Sequence, residues 1–141
     1  MLKNFFKKEK KDGDQNTNVL IAALLIHAAK IDGSYTNFEK EIIKKSLINL
    51  NLVKIENVEK IIKTAEEKEK NSNQIVAFTK EIKKKPMDFR LKIIEILWKI
   101  VYSDSSSDNY ESNLMRRICG LLYVSDRDSG LIKERVKNSS N

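Results

Sequence analysis

The chain has 141 residues, of which 40% are hydrophobic, so it is long and apolar enough to form one domain with a buried core. Its formal net charge is +7, but five lysines and one glutamate place +4 of that charge on residues 1–11. The folded part keeps only +3, which weakens the case for nucleic-acid binding. The only cysteine, Cys119, excludes an intrachain disulfide.

The first predicted element is a basic N-terminal tail at residues 1–16. It combines Leu2, Phe5 and Phe6 with lysines and ends in a polar, turn-forming stretch at residues 12–16. We predict that this tail is mobile; if it is helical, weak contact with an anionic membrane surface is the alternative. We do not expect a signal peptide, because Asp12 and Asp14 interrupt the transition to the apolar run and no small-x-small cleavage site follows.

Four helices are predicted in the first part of the folded domain, which we assign to residues 17–138. The first covers residues 17–31 and is apolar all round in its middle, so it belongs at the centre of the fold. The second begins at Thr36, the third is short and is followed by a polar break at residues 66–73, and the fourth ends before Pro86. Apolar residues with helical spacing in these three helices are Phe38, Ile42, Ile43, Leu47 and Leu50, then Val58, Ile61, Ile62 and Ala65, and then Ile75, Phe78, Thr79 and Ile82.

Three more helices complete the domain. The fifth, at residues 87–102, is nearly as apolar as the first, because its polar residues form one narrow stripe. The sixth covers residues 109–122, and the seventh covers residues 127–137 behind a cap at Ser125 or Asp126. The stripe of the fifth helix is Asp88, Lys92, Glu95 and Lys99, and the apolar positions of the seventh are Leu131, Ile132 and Val136. Residues 139–141 are predicted to be disordered, and few alternating apolar and polar runs occur, so the fold class is all-α with about seven helices.

An internal repeat relates the two halves of the domain. A shift of 72 residues superposes residues 20–50 on residues 92–122 without a gap. It places Asp32 on Asp104, Glu39 on Glu111, and the basic doublet Lys44-Lys45 on Arg116-Arg117. The repeated helix-loop-helix unit predicts a pseudo-twofold bundle with both loops at the same end, where the four carboxylates would lie together.

These loops do not match a calcium-binding EF-hand. Such a loop needs oxygen ligands two and four residues before the aspartate, where the first copy has Lys30 and Ala28. Helix capping is a sufficient explanation for Glu39, which forms a capping box with Thr36, and Asp108 and Glu111 allow a similar arrangement.

The aspartates need another explanation, because Asp32 and Asp104 follow helix C-termini, where an exposed carboxylate is disfavoured by about 0.3–1 kcal/mol. The alternatives are an Asx turn, a nearby lysine or arginine, and a divalent cation held by oxygen ligands from both loops.

No catalytic set is recognisable, and we expect that the protein is not an enzyme. His27 lies in the most apolar helix, where a packed core residue is the expected role, and Cys119 is expected to be an inert core thiol. The doublets Lys44-Lys45 and Arg116-Arg117 have two interpretations, namely solvated helix surface or a basic face that binds a partner.

Three segments of the chain occur in a recognisable order, namely Ala28-Ala29-Lys30-Ile31-Asp32-Gly33 with Glu39, then residues 97–104 with Glu111, and then Leu121-Leu122-Tyr123-Val124-Ser125-Asp126. In order and spacing they resemble the TerB family of tellurite-resistance domains. The resemblance implies an all-α fold of about seven helices, a cytoplasmic location or one peripheral to the inner membrane, and a part in tellurite resistance and related stress responses. It also implies other Ter-type proteins as partners and a divalent-metal site formed by Asp32, Glu39, Asp104 and Glu111. Ser105 departs from the family pattern, which favours glycine there.

We therefore expect a non-catalytic interaction module that binds a divalent cation, namely Ca, Mg or Mn. The alternative is a metal-free helical adaptor that uses its basic surface residues to bind a protein partner or a membrane surface. We expect a monomer that does not bind nucleic acid.

Overall fold

The computed structural model describes the backbone of residues 2–31, 35–72, 74–103 and 109–139, with the side chains of these residues except 2–15 and 109–112. The described part is all-α, as predicted, with seven α-helices and no strand. The helices are α1 (Leu2–Lys30), α2 (Asn37–Asn49), α3 (Val58–Asn71), α4 (Ile75–Thr79), α5 (Met87–Ser103), α6 (Asn109–Leu121) and α7 (Asp126–Ser139). Short 3₁₀ turns at Ile55–Asn57 and Ile82–Lys84 precede α3 and α5.

Helix α1 is the centre of the bundle. Every side chain from Ile21 to Ile26 is fully buried, and α2, α3, α4 and α5 all pack against this helix. Its predicted start at residue 17 is wrong, because the helix begins at Leu2. The lysines and the glutamate of residues 2–11 are good helix formers, and no proline interrupts the segment. The poor helix formers Asp12, Gly13, Asp14 and Asn16 therefore weaken the helix without ending it. The mobility expected for residues 1–16 stays a prediction.

Helix α3 is longer than predicted. The polar stretch at residues 66–73 was expected to break the chain, but the helix continues to Asn71. Val58, Ile62, Ala65 and Glu69 are its buried residues, and their spacing follows one helix face. Glu69 therefore lies in the interior although its residue type is charged, and the predicted break is wrong as far as residue 71.

Helix α5 follows its prediction closely. It begins after Pro86, its stripe residues Asp88, Lys92 and Lys99 are exposed, and Glu95 is half-buried. The fourth predicted helix is instead divided. In α4 the hydroxyl of Thr79 donates to the carbonyl of Ile75 at 2.9 Å, and the chain then turns into the 3₁₀ segment. A side chain that bonds to the preceding turn in this way competes with the helix backbone.

Helix α7 packs against α5. Ser125 is its cap, since its hydroxyl oxygen accepts the backbone N–H of Asp128 at 3.1 Å. The indole N–H of Trp98 donates to the Ser129 hydroxyl at 3.1 Å, and the Lys133 ammonium lies 5.1 Å from the centre of the Trp98 ring. Ile132 and Val136 are buried whereas Leu131 is 61% exposed, and the helix extends to Ser139, one residue into the stretch predicted to be disordered.

Helices α2 and α6 end in the same type of turn. The backbone N–H of Leu52 donates to the carbonyl of Leu47 at 3.1 Å, and that of Val124 donates to the carbonyl of Cys119 at 2.9 Å. In each turn the preceding residue is left-handed, with φ of 59° at Asn51 and 56° at Tyr123. These turns lie 72 residues apart, which equals the spacing of the sequence repeat. The repeat and its pseudo-twofold axis stay predictions.

The left-handed backbone of Tyr123 predicts a stabilising substitution. A bulky residue is strained there, whereas glycine adopts this conformation freely, and little packing is lost because Tyr123 is 67% exposed. We expect Tyr123→Gly to raise the free energy of unfolding by about 0.5–1 kcal/mol, measured by urea denaturation. Asn51→Gly is the matched control and should gain less, because asparagine tolerates this conformation. A loss of stability in Tyr123→Gly would contradict the assigned strain.

Candidate functional site

The four carboxylates predicted to bind a metal are only partly described. Asp32 and Asp104 lie outside the described residues, and the side chain of Glu111 does as well. Glu39 is described and is 4% exposed. Among the side chains that the structure describes, no three His, Cys, Asp or Glu residues are close enough together to hold a metal ion. The four-carboxylate site therefore stays a prediction.

Glu39 forms the capping box that the sequence predicts at the start of α2. Its Oε1 accepts the backbone N–H of Thr36 at 2.8 Å and the Thr36 hydroxyl at 3.0 Å, while the backbone N–H of Glu39 donates to Thr36 Oγ1 at 3.1 Å. A carboxylate is also the type of ligand that hard cations such as Ca, Mg or Mn prefer. The cap fixes where the carboxylate lies.

A mostly apolar cleft of about 270 Å³ opens between α2, α5 and α7. Its lining residues are Phe38, Ile42, Lys99, Tyr102, Ser103, Val136 and Ser139. Phe38 follows the first loop and Ser103 precedes the second, so residues that flank the two loops meet at one end of the bundle. We call this end, defined by the cleft and by Tyr35 to Glu39, the loop end. Phe38 is 65% exposed there, which is unusual for a large aromatic side chain.

A buried charge cluster that the sequence analysis missed lies between α1 and α3. The Glu69 carboxylate accepts a hydrogen bond from the Lys30 ammonium at 2.7 Å and lies 3.0 Å from His27 Nδ1. The Glu69 side chain is only 7% exposed. His27 packs beside Phe78, with ring centres 6.3 Å apart, so it is both a core residue and a polar partner. The missed signal was the position of Glu69 on the apolar face of α3.

The two partners of Glu69 in this cluster keep its carboxylate ionised. Burial by itself would raise the pKa of the Glu69 carboxyl, but the hydrogen bonds from Lys30 and His27, with the charge of both groups, outweigh burial and hold that pKa below its usual value. A buried carboxylate is tolerated only when it is paired in this way.

Tyr35 extends the cluster towards α2. The Lys30 ammonium lies 6.0 Å from the centre of the Tyr35 ring. Burial, followed by the negative charge of Glu66 and then of Glu39, raises the pKa of the Tyr35 hydroxyl well above its usual value, so this group stays neutral. Glu66 is itself paired with Lys40 at 3.4 Å. Side chains from α1, α2 and α3 thus converge on the segment that begins at Tyr35.

The basic doublets are not equivalent. Lys44 pairs with Glu41 and with Glu59, and therefore links α2 to the start of α3. Lys45, Arg116 and Arg117 are exposed. Lys45 is therefore the more accessible member of the first doublet. Partner binding by these residues stays a prediction.

Two further observations bear on function. Burial raises the pKa of the Cys119 thiol, which disfavours the reactive thiolate. In the part of the chain that the structure describes, no helix has the length and apolar character needed to cross a bilayer.

The lowered pKa of Glu69 predicts a specific pH dependence. A depressed carboxyl pKa stabilises the fold above the unfolded-state value of about 4.3, and this stabilisation is lost as the pH falls through the folded-state value. We expect wild type to be more stable than Glu69→Gln at about pH 6, with a difference that shrinks towards pH 3 in urea denaturation. Glu67→Gln removes an exposed charge from the same helix and is the control. A difference that does not change with pH would contradict the ionised buried pair.

The comparison with known families agrees with this architecture. A family model described as Tellurite resistance protein TerB matches residues 18–134, which extend from the buried part of α1 into α7. Neither the curated proteins nor the solved structures contain a match. The family match covers most of the chain and includes both loops, so this chain belongs to the TerB family of tellurite-resistance domains.

Proposed function

We propose that this TerB-family chain is a non-catalytic interaction module of tellurite resistance and related stress responses. In this proposal it binds a protein partner at the loop end and takes up a divalent cation beside the contact. The observation that carries it is the exposed Phe38 at an apolar cleft between three helices. Other Ter-type proteins are the proposed partners, and we propose a monomer in the cytoplasm or at the periphery of the inner membrane.

The cleft has the features of a binding surface for a protein side chain. Exposed aromatic residues beside an apolar depression are typical anchors of protein interfaces. Ile42, Tyr102 and Val136 supply the apolar lining, and Lys99 supplies a charge. The capping box holds the backbone on both sides of Phe38, so this residue would meet a partner in a fixed position.

The proposed cation would lie near this surface. Asp32, Glu39, Asp104 and Glu111 are the proposed ligands, and a bound Ca, Mg or Mn ion would supply a charge that holds both loops in one arrangement. Carboxylate oxygens are the ligands that these ions prefer. The meeting of loop-flanking residues at one cleft supports this proposal.

A metal-free adaptor is the second candidate. The exposure of Lys45, Arg116 and Arg117 favours it, because these side chains present positive charge to an acidic partner or a membrane surface. Binding of this kind weakens as the salt concentration rises, and it is indifferent to chelators.

A metal titration tests the cation proposal. A ligand that binds only the folded state stabilises it, so Ca, Mg or Mn at 100 times its dissociation constant should add about 2.7 kcal/mol. We expect a rise in the melting temperature of wild type, and none in the double variant Asp32→Asn, Asp104→Asn. Asp88→Asn, an exposed change at the start of α5, is the control and should respond as wild type does. No stabilisation of wild type by any of the three ions would exclude the cation.

A substitution at Phe38 tests the partner surface. Because Phe38 is 65% exposed, Phe38→Ser should leave the melting temperature within a few degrees of wild type while it abolishes capture of a purified Ter-type partner. Leu131→Ser is the matched control, since Leu131 is 61% exposed on α7 and does not line the cleft. Equal partner binding by Phe38→Ser and wild type would exclude this surface. Partner binding that weakens as the salt concentration rises, but not in Phe38→Ser, would favour the metal-free adaptor.

A further inference from the structure

Stability alone is a poor explanation for the burial of the Glu69 carboxylate. Desolvation of a carboxylate is unfavourable, and ion pairing offsets this free energy only when the geometry is good. The same face of α3 already packs through Ile62 and Ala65, both fully buried. Both carboxylate oxygens of Glu69 lie within 3.0 Å of groups from α1, which are His27 and Lys30. The position of these two partners indicates a more specific role than burial.

His27 and Lys30 occupy the last turn of α1, immediately before the first loop. Glu69 therefore contacts α1 at the point where the chain leaves this central helix. The Lys30 ammonium, held by Glu69, lies 6.0 Å from the centre of the Tyr35 ring, on the other side of the loop in sequence. Lys30, which precedes the loop, thus pairs with Glu69 of α3 and lies beside Tyr35, which follows the loop.

The arrangement continues from Tyr35 into the proposed binding surface. Tyr35 directly precedes Thr36, whose hydroxyl and backbone N–H bond to Glu39. Phe38 lies within that capping box. A connected series of contacts therefore leads from Glu69 through Lys30 and Tyr35 to the residue that the proposed partner would meet.

We propose that Glu69 is a positioning residue for the loop end, which acts through Lys30 and Tyr35 to fix the orientation of Phe38 and Glu39. This inference rests on the proposed function for its biological meaning. The positioning effect itself is a property of the chain without metal or partner.

The residue that corresponds to Lys30 in the second half of the sequence makes a different contact. Lys30 corresponds to Tyr102 under the 72-residue shift, and Tyr102 stacks on Trp98 with ring centres 5.9 Å apart. An aromatic stack within α5 therefore stands where the first half has an ion pair to another helix. Glu69 links the end of α1 to α3.

Hydrogen exchange on the full chain, without metal or partner, tests this inference. We expect Glu69→Gln to increase exchange of the Glu39 and Lys40 amides, which bond to Thr36, by about tenfold more than it increases exchange in α5. Lys30→Gln should produce the same local increase, and it should fold readily because the Lys30 side chain is 36% exposed. The Phe38 amide resonance should shift in both variants.

Two controls separate positioning from general destabilisation. Ile62→Val removes a buried methylene from α3 without removing the contact to Lys30, so it should raise exchange without favouring the Glu39 and Lys40 amides. Glu67→Gln removes an exposed charge and should change neither amide. If Glu69→Gln and Lys30→Gln match Ile62→Val in their exchange pattern, or leave both amides unchanged, the positioning role is overturned.

The outcome is independent of the proposed function. A local exchange effect, together with partner binding that is unaffected by Phe38→Ser, would overturn the proposed surface and support the positioning role. Loss of partner binding in Phe38→Ser, without any local exchange effect of Glu69→Gln, would support the proposed surface and overturn the positioning role.

Discussion

The burial of α1 on all sides is the constraint on which the rest of this structure depends. From Ile21 to Ile26 no side chain reaches solvent, so the helix can exist only if neighbours cover its whole circumference. Helices α2, α3, α4 and α5 do this. Polar groups near the end of the same helix must then find partners among those neighbours, and Glu69 of α3 is the partner of both His27 and Lys30.

The sequence predicted the features that depend on neighbouring residues. The polar stripe of α5, the capping box at Thr36 and the cap at Ser125 each follow from a few residues in one stretch of chain. The charge cluster was missed because Glu69 lies 42 residues from His27 and 39 from Lys30, and only folding brings them together. Because residues 66–73 are polar, they were predicted to form a break between helices, and Glu69 was placed in it. In the structure Glu69 is a buried residue of α3 and pairs with His27 and Lys30. The predicted start of α1 was wrong because residues 12–16 are mostly poor helix formers, yet the helix continues through them, since no proline is present to end it.

Two turns that lie 72 residues apart agree in backbone but not in side chain. The turns after α2 and α6 have the same hydrogen bonds and the same left-handed residue, although one carries asparagine and the other tyrosine. Around the loops the contacts diverge, because α3 packs against the end of α1, whereas α5 is bordered there by α7. The helix ends that flank the two loops therefore have different neighbours.

The capping box also has a consequence for ligand selectivity. Oε1 of Glu39 already accepts two hydrogen bonds from Thr36, and these bonds start helix α2. A cation that used both carboxylate oxygens would have to displace them and loosen the first turn of that helix. Calcium sites often include a bidentate carboxylate, whereas magnesium favours a single oxygen from each ligand in an octahedral shell. In the proposed metal site, the cap would therefore disfavour binding of the cation through both oxygens of Glu39, so the start of α2 would influence the choice of ion by geometry rather than by charge.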